Sequence, residues 1–134
     1  MPAAPDDPLT TLAAAADGLL VPSEHDYPLE LFRWDGCAPL TPASLVAALG
    51  LPPHTPVETR DLATFFAPLT RTADETDAAA QATAARFAAL RTQIAAALTD
   101  VVVYRVGRIQ ITAIIAGTTA EGATGGLRTT LIET

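Results

Sequence analysis

The stretch from Val101 to the end of the chain constrains the fold most. The run VVVYRVGRIQITAIIAG is rich in β-branched residues, and its apolar side chains would fall on both faces of an extended strand. It reads as one strand from Val101 to Val106, a tight connection at Gly107-Arg108, and a second strand from Ile109 to Gly117. Ile109, Ile111 and Ile115 of that second strand share a face. TTAEGATGG then reads as a loop, and LRTTLIET as a third strand. Strands that are apolar on both faces need cover on both sides, so helices are expected above and below the sheet.

The preceding sequence supplies them. Leu9, Leu12, Ala13, Ala16 and Leu19 or Leu20 recur at helical spacing, with Gly18 as the terminating residue. LTPASLVAALG gives a second helix, with Thr41 as N-cap, Pro42 at its first position and Gly50 closing it. A short helix runs from about Asp61 to near Pro68 and buries Leu62, Phe65 and Phe66. The longest spans residues 73–98. Thr72 and Glu75 have the spacing of a capping box, Asp74, Glu75 and Asp77 crowd its positive end, and Phe87, Leu90, Ile94 and Leu98 form its apolar stripe.

A further strand is expected from Leu29 to Asp35, and the proline-punctuated segment LPPHTPVETR reads as a loop. The expected fold is therefore α+β: a three-layer α-β-α sandwich with a largely antiparallel four-stranded sheet. The 134 residues suit a single domain, behind a disordered lead of about eight residues.

Charge narrows the function. The first 77 residues hold twelve acids and three arginines, and the remaining 57 hold three acids and five arginines, within a net charge of −7. An acidic surface repels phosphates, which disfavours direct binding to nucleic acid, and a polarised one steers a basic partner. The N-terminus carries acids where a secretory signal carries bases, and no run is long and apolar enough to span a bilayer. A soluble, cytoplasmic protein is expected. The single cysteine, Cys37, leaves no internal disulfide and no multi-thiolate metal site.

One polar corner interrupts the apolar segments: Ser23, Glu24, His25 and Asp26, between ADGLL and Tyr27-Pro28. A nucleophile, base and orienter from Ser23, His25 and Asp26 would need convergence that neighbouring residues rarely achieve. Glu24, His25 and Asp26 have the right atoms for a metal, but three adjacent residues make a poor cage. His54 sits alone between prolines, and no nucleophile elbow, phosphate-binding glycine loop or H-E-x-x-H helix occurs. A surface loop or a recognition edge for another protein remains.

The corner also carries a resemblance. Ala16 to Leu20, Ser23, Glu24, Tyr27, Pro28, Glu30, Phe32, Trp34, Asp35 and Gly36 resemble the signature of the nuclease A inhibitor family, small proteins that block sugar-nonspecific nucleases. The likeness continues in DLATFF at 61–66, RFAAL at 86–90, VYRVG at 103–107 and the ending IET. The resemblance implies an α-β-α sandwich and a protein that is not an enzyme and has no cofactor of its own. It implies a one-to-one complex with a sugar-nonspecific DNA/RNA endonuclease, formed by a protein that is monomeric when free. In that reading Glu24 meets a basic group of the nuclease active site, and Asp74 lies in the same contact surface. Thr134 approaches the nuclease's divalent metal, Mg²⁺, directly or through water. Glu75 departs from the pattern, because the family places a tryptophan there. The alternative is a protein of the same fold that binds a different partner or a small molecule.

Overall fold

The computed structural model describes residues 8–34, 39–71 and 76–133. In chain order, helix α1 (Pro8–Ala15) leads into a short hairpin, β1 (Leu20–Val21) and β2 (Tyr27–Pro28), and then into β3 (Glu30–Trp34). Helix α2 (Pro42–Ala48) is followed by β4 (Val57–Arg60), α3 (Leu62–Phe66) and a 3-10 turn at Ala67–Leu69. The long helix α4 (Ala78–Ala97) precedes β5 (Thr99–Val106), β6 (Gln110–Thr118) and β7 (Thr124–Ile132). Strands β3 to β7 form one antiparallel sheet in the order β3-β7-β6-β5-β4, and β1 and β2 pair separately.

Two clusters of buried side chains account for this arrangement. On β6, Ile111, Ala113 and Ile115 join one cluster, while Ile114 and Ala116 join the other, as the alternation of a strand requires. The first cluster receives Leu9 and Leu12 of α1, Phe66 of α3, and Phe87, Leu90 and Ile94 of α4. The second receives Phe32 of β3 and Leu45 and Val46 of α2. Each fully buried Leu, Ile or Phe contributes about 1.5–3 kcal/mol by leaving water. Loss of the period-two pattern in β6 would therefore strip both clusters at once.

Among the described residues the sheet has five strands rather than the expected four. The extra one is β4, inside the segment that reads as a proline loop. Three of its four residues are exposed, so burial leaves no alternating mark on the sequence. It is held instead by backbone pairing to β5, from Val57↔Val106 to Arg60↔Val103, and by the Gly107 amide donating to the Pro56 carbonyl at 3.0 Å. The β1-β2 pair is a second addition.

Other boundaries move for local reasons. The cap of α4 is Asp77, whose carboxylate accepts from the Ala80 amide at 2.9 Å, so the helix starts at Ala78 and not at residue 73. The expected Thr72–Glu75 box, Asp35, Cys37, Thr134 and the lead at residues 1–7 lie outside the described residues. Ile109 belongs to the turn before β6 and is 59% exposed, so it does not share the buried face of Ile111 and Ile115.

Strand β7 begins at Thr124 and takes in Gly125 and Gly126 of the expected loop. At Gly125 a Cβ would stand 2.5 Å from the Phe32 carbonyl oxygen and 2.7 Å from Cδ1 of Leu9. A glycine lets α1 pack on β7, and β3 pair beside it, at that point.

The remaining caps follow the sequence. Thr41 and Ser44 form a reciprocal capping box at α2. Asp61 caps α3, accepting from the Thr64 amide at 2.6 Å. That bond, and a second from the Thr64 hydroxyl, hold the Asp61 carboxyl below its usual value.

Candidate protein-binding edge

The polar corner is the loop of the β1-β2 hairpin. Leu20 pairs with Pro28 and Val21 with Tyr27, so residues 22–26 form the connection. Its flanks are pinned: Leu19, Val21 and Leu29 are all buried, while Glu24, His25 and Asp26 are exposed. The chain can turn out of α1 because Gly18 has φ +81°, a conformation that side chains resist. Arg86 of α4 donates to the carbonyls of Ala15 at 3.2 Å and Asp17 at 2.8 Å, satisfying the end of α1 and fixing where the hairpin starts.

Ser23 organises the loop. Its hydroxyl donates to the His25 carbonyl at 2.6 Å and accepts from the Ile132 amide at 3.0 Å. The Glu24 amide donates to the Ile132 carbonyl at 3.1 Å. Ser23 and Glu24 thus grip both backbone groups of Ile132, at the end of β7. The Thr129 hydroxyl, donating to the Tyr27 carbonyl at 3.4 Å, ties the other arm of the hairpin to the same strand. On the far side of β7 the Glu133 amide donates to the Ile109 carbonyl at 2.9 Å. The hairpin loop, the end of β7 and the β5-β6 turn therefore lie side by side along one edge.

Charged groups brace this edge. Arg105 of β5, only 17% exposed, donates from Nη2 to Oε1 of Glu133 at 2.6 Å. Its Nε lies 3.6 Å from Oε1 of Glu58, the residue opposite it in the β4-β5 register, and has no hydrogen bond. Glu58 also faces Arg60 at 3.4 Å. The two arginines and two glutamates compensate one another; Arg105 alone is largely covered, and the other three are exposed, so each pair contributes little beyond matching its charge.

Of the residues singled out from sequence, Glu24 stands on this edge, beside the end of β7. Thr134 follows Glu133 in the chain and lies outside the described residues, as do Asp74 and Glu75, which precede the α4 cap. Ser23 was a nucleophile candidate, but its hydroxyl is committed to two backbone groups, which makes it a positioning residue. Sequence reasoning missed the set formed by Arg105, Glu133 and Glu58. The one signal for it was an arginine embedded in the apolar run VVVYRV. Among the described residues, no group of three or more His, Cys, Asp or Glu is arranged to hold a metal ion, and no helix is long and apolar enough to cross a membrane.

A family model described as nuclease A inhibitor-like protein matches residues 6–134. The chain belongs to the nuclease A inhibitor-like family. Among curated proteins none matches it. The match spans α1, the hairpin and the whole sheet, so the elements that build the edge fall within the family's domain. The family description is that of an inhibitor and not of a catalyst, and it implies a nuclease as partner.

Proposed function

We propose that this protein binds a sugar-nonspecific, metal-dependent endonuclease one-to-one and blocks its active site with the edge formed by the hairpin loop and the end of β7. What supports this reading is a pair of hydrogen bonds, one that the Ser23 hydroxyl accepts from the Ile132 amide and one that the Glu24 amide donates to the Ile132 carbonyl, which hold the exposed Glu24 beside the end of β7. A nuclease active site binds phosphates through basic side chains and a divalent ion. The Glu24 carboxylate imitates one substrate charge. The carboxylate and hydroxyl of Thr134 would supply hard oxygen ligands for Mg²⁺, and neither offers a cleavable bond. Asp74 and Glu75 belong to the same proposed surface, with Glu75 replacing the aromatic anchor. Helices on both faces of the sheet, in the three-layer sandwich of the proposed fold, hold this edge rigid.

Titration of a sugar-nonspecific endonuclease with the wild-type protein and with Glu24→Gln tests the reading. If Glu24 pairs with a desolvated arginine, the substitution weakens binding by about 2–5 kcal/mol, which is about 30-fold to several thousand-fold in Kd. Appending Gly-Gly after Thr134 shifts the terminal carboxylate and is expected to weaken inhibition by about tenfold or more, or about 1.4 kcal/mol. Inhibition by Glu24→Gln within about threefold of wild type, a loss far below that expected of a buried charge pair, would sink the proposal.

A further inference from the structure

A pocket of about 170 Å³ opens beside the proposed edge, and none of the nuclease contacts proposed above uses it. Val21 and Pro22 line it from the hairpin, Phe65 and Leu69 from α3 and the turn after it, and Leu131 from β7. Arg60, Thr64, Arg105 and Glu133 supply its polar lining. Glu58 and Glu133 already pair with both arginines, so an anion entering here would compete with carboxylates in place. Charge balance therefore favours an uncharged occupant, and the walls formed by Val21, Phe65, Leu69 and Leu131 favour a largely apolar one.

Size narrows the occupant further. A cavity of about 150 Å³ lined by aliphatic and aromatic side chains accommodates a benzene ring. The pocket thus has room for one aromatic or large aliphatic side chain, and a nucleotide is too large for it.

We propose that this pocket receives a single apolar side chain, aromatic or large aliphatic, from the surface of the nuclease beside its active site. This rests on the reading of the edge as the inhibitory surface, because the pocket shares its walls with that edge. Pro22 stands two residues before Glu24, and Glu133 follows the Ile132 that holds the loop. A partner bound to Glu24 and to the end of β7 would cover the pocket mouth. Filled, desolvated pockets of this kind are where binding free energy concentrates in an interface.

Thr64 gives the test, since it is exposed, lines the pocket and contributes its backbone amide to the α3 cap. Thr64→Trp fills the pocket from its rim. Thr64→Val removes the hydroxyl without filling it and serves as the control. Both are assayed for inhibition of a sugar-nonspecific endonuclease in Mg²⁺, with thermal melts to establish folding. Thr64→Trp is expected to raise the inhibition constant about tenfold or more, and Thr64→Val about twofold at most. Unchanged inhibition by Thr64→Trp, while wild type inhibits, overturns the proposal and leaves the edge reading intact. Failure of wild type to inhibit overturns the edge reading, and this proposal with it. Binding of p-cresol to the isolated protein that persists in the nuclease complex would show a small-molecule site and also overturn it.

Discussion

Removing one hydroxyl, in Ser23→Ala, separates the positioning of Glu24 from its charge. Two hydrogen bonds disappear, the one donated to His25 at 2.6 Å and the one accepted from Ile132 at 3.0 Å. At a net value of about 0.5–1.5 kcal/mol each, their combined loss is about 1–3 kcal/mol. Ile132 is half-buried, so water can reach part of its stranded amide, and the lower half of that range is expected. The bond from the Glu24 amide to the Ile132 carbonyl remains, so the loop loosens without detaching.

A loosened loop presents Glu24 correctly for a smaller fraction of the time, and apparent Kd rises in inverse proportion to that fraction. A shift of about 1–2 kcal/mol corresponds to weaker inhibition by at most roughly 5-fold to 30-fold, because the correctly placed fraction cannot fall by more than the docking equilibrium does. Amide exchange at Glu24 and Ile132 should accelerate, and Ser23→Thr, which keeps a hydroxyl, should restore much of both properties. The decisive measurement is the double substitution with Glu24→Gln. If Ser23 acts through Glu24, the double variant costs little more than Glu24→Gln alone, because coupled residues are not additive. Additive losses, or wild-type exchange and inhibition in Ser23→Ala, would refute the positioning role.

Phe66 is fully buried, with its ring 5.6 Å from Phe65 and 6.4 Å from Phe87 in edge-to-face contacts. Phe66→Ala is expected to cost about 3–5 kcal/mol in a urea melt, and a loss under about 1 kcal/mol would contradict its place in the core. Asp61 has a folded pKa below the usual 3.8, so its contribution to stability is present above that value and lost as pH falls through the folded pKa. Asp61→Asn keeps a capping oxygen without the titration. Its urea midpoint should fall less than that of wild type between about pH 5 and pH 2, and parallel curves would show that the cap carries no pH dependence.

Much of the fold was legible because burial writes a period into the sequence. The stripe of Phe87, Leu90 and Ile94 marked α4, and Thr41-Pro42 marked the start of α2. What escaped was structure held by backbone alone. Strand β4 exposes most of its side chains and depends on pairing with β5, which no local pattern reports. Gly125 and Gly126 looked like loop residues because their reason for being small is the approach of Leu9, Phe32 and Ile115 from distant segments. The polar corner was visible as a corner, and Glu24 as its acid. The grip of Ser23 and Glu24 on Ile132 was not, since it joins residues 109 positions apart.

That separation bears on when the protein becomes competent. Strand β7 is an interior strand, seated between β3 and β6, although it follows every other described strand. During synthesis α1, the hairpin and β3 emerge before β4, β5 and β6 and wait for a partner that follows all of these. Closing such a long loop is entropically costly and slow, so the β3-β7 pairing belongs among the late folding events. The loop carrying Glu24 has no Ile132 to dock on until then. A nascent or truncated chain lacking β7 therefore displays the acidic residues without their arrangement, and exposes the long flank of β6 to aggregation.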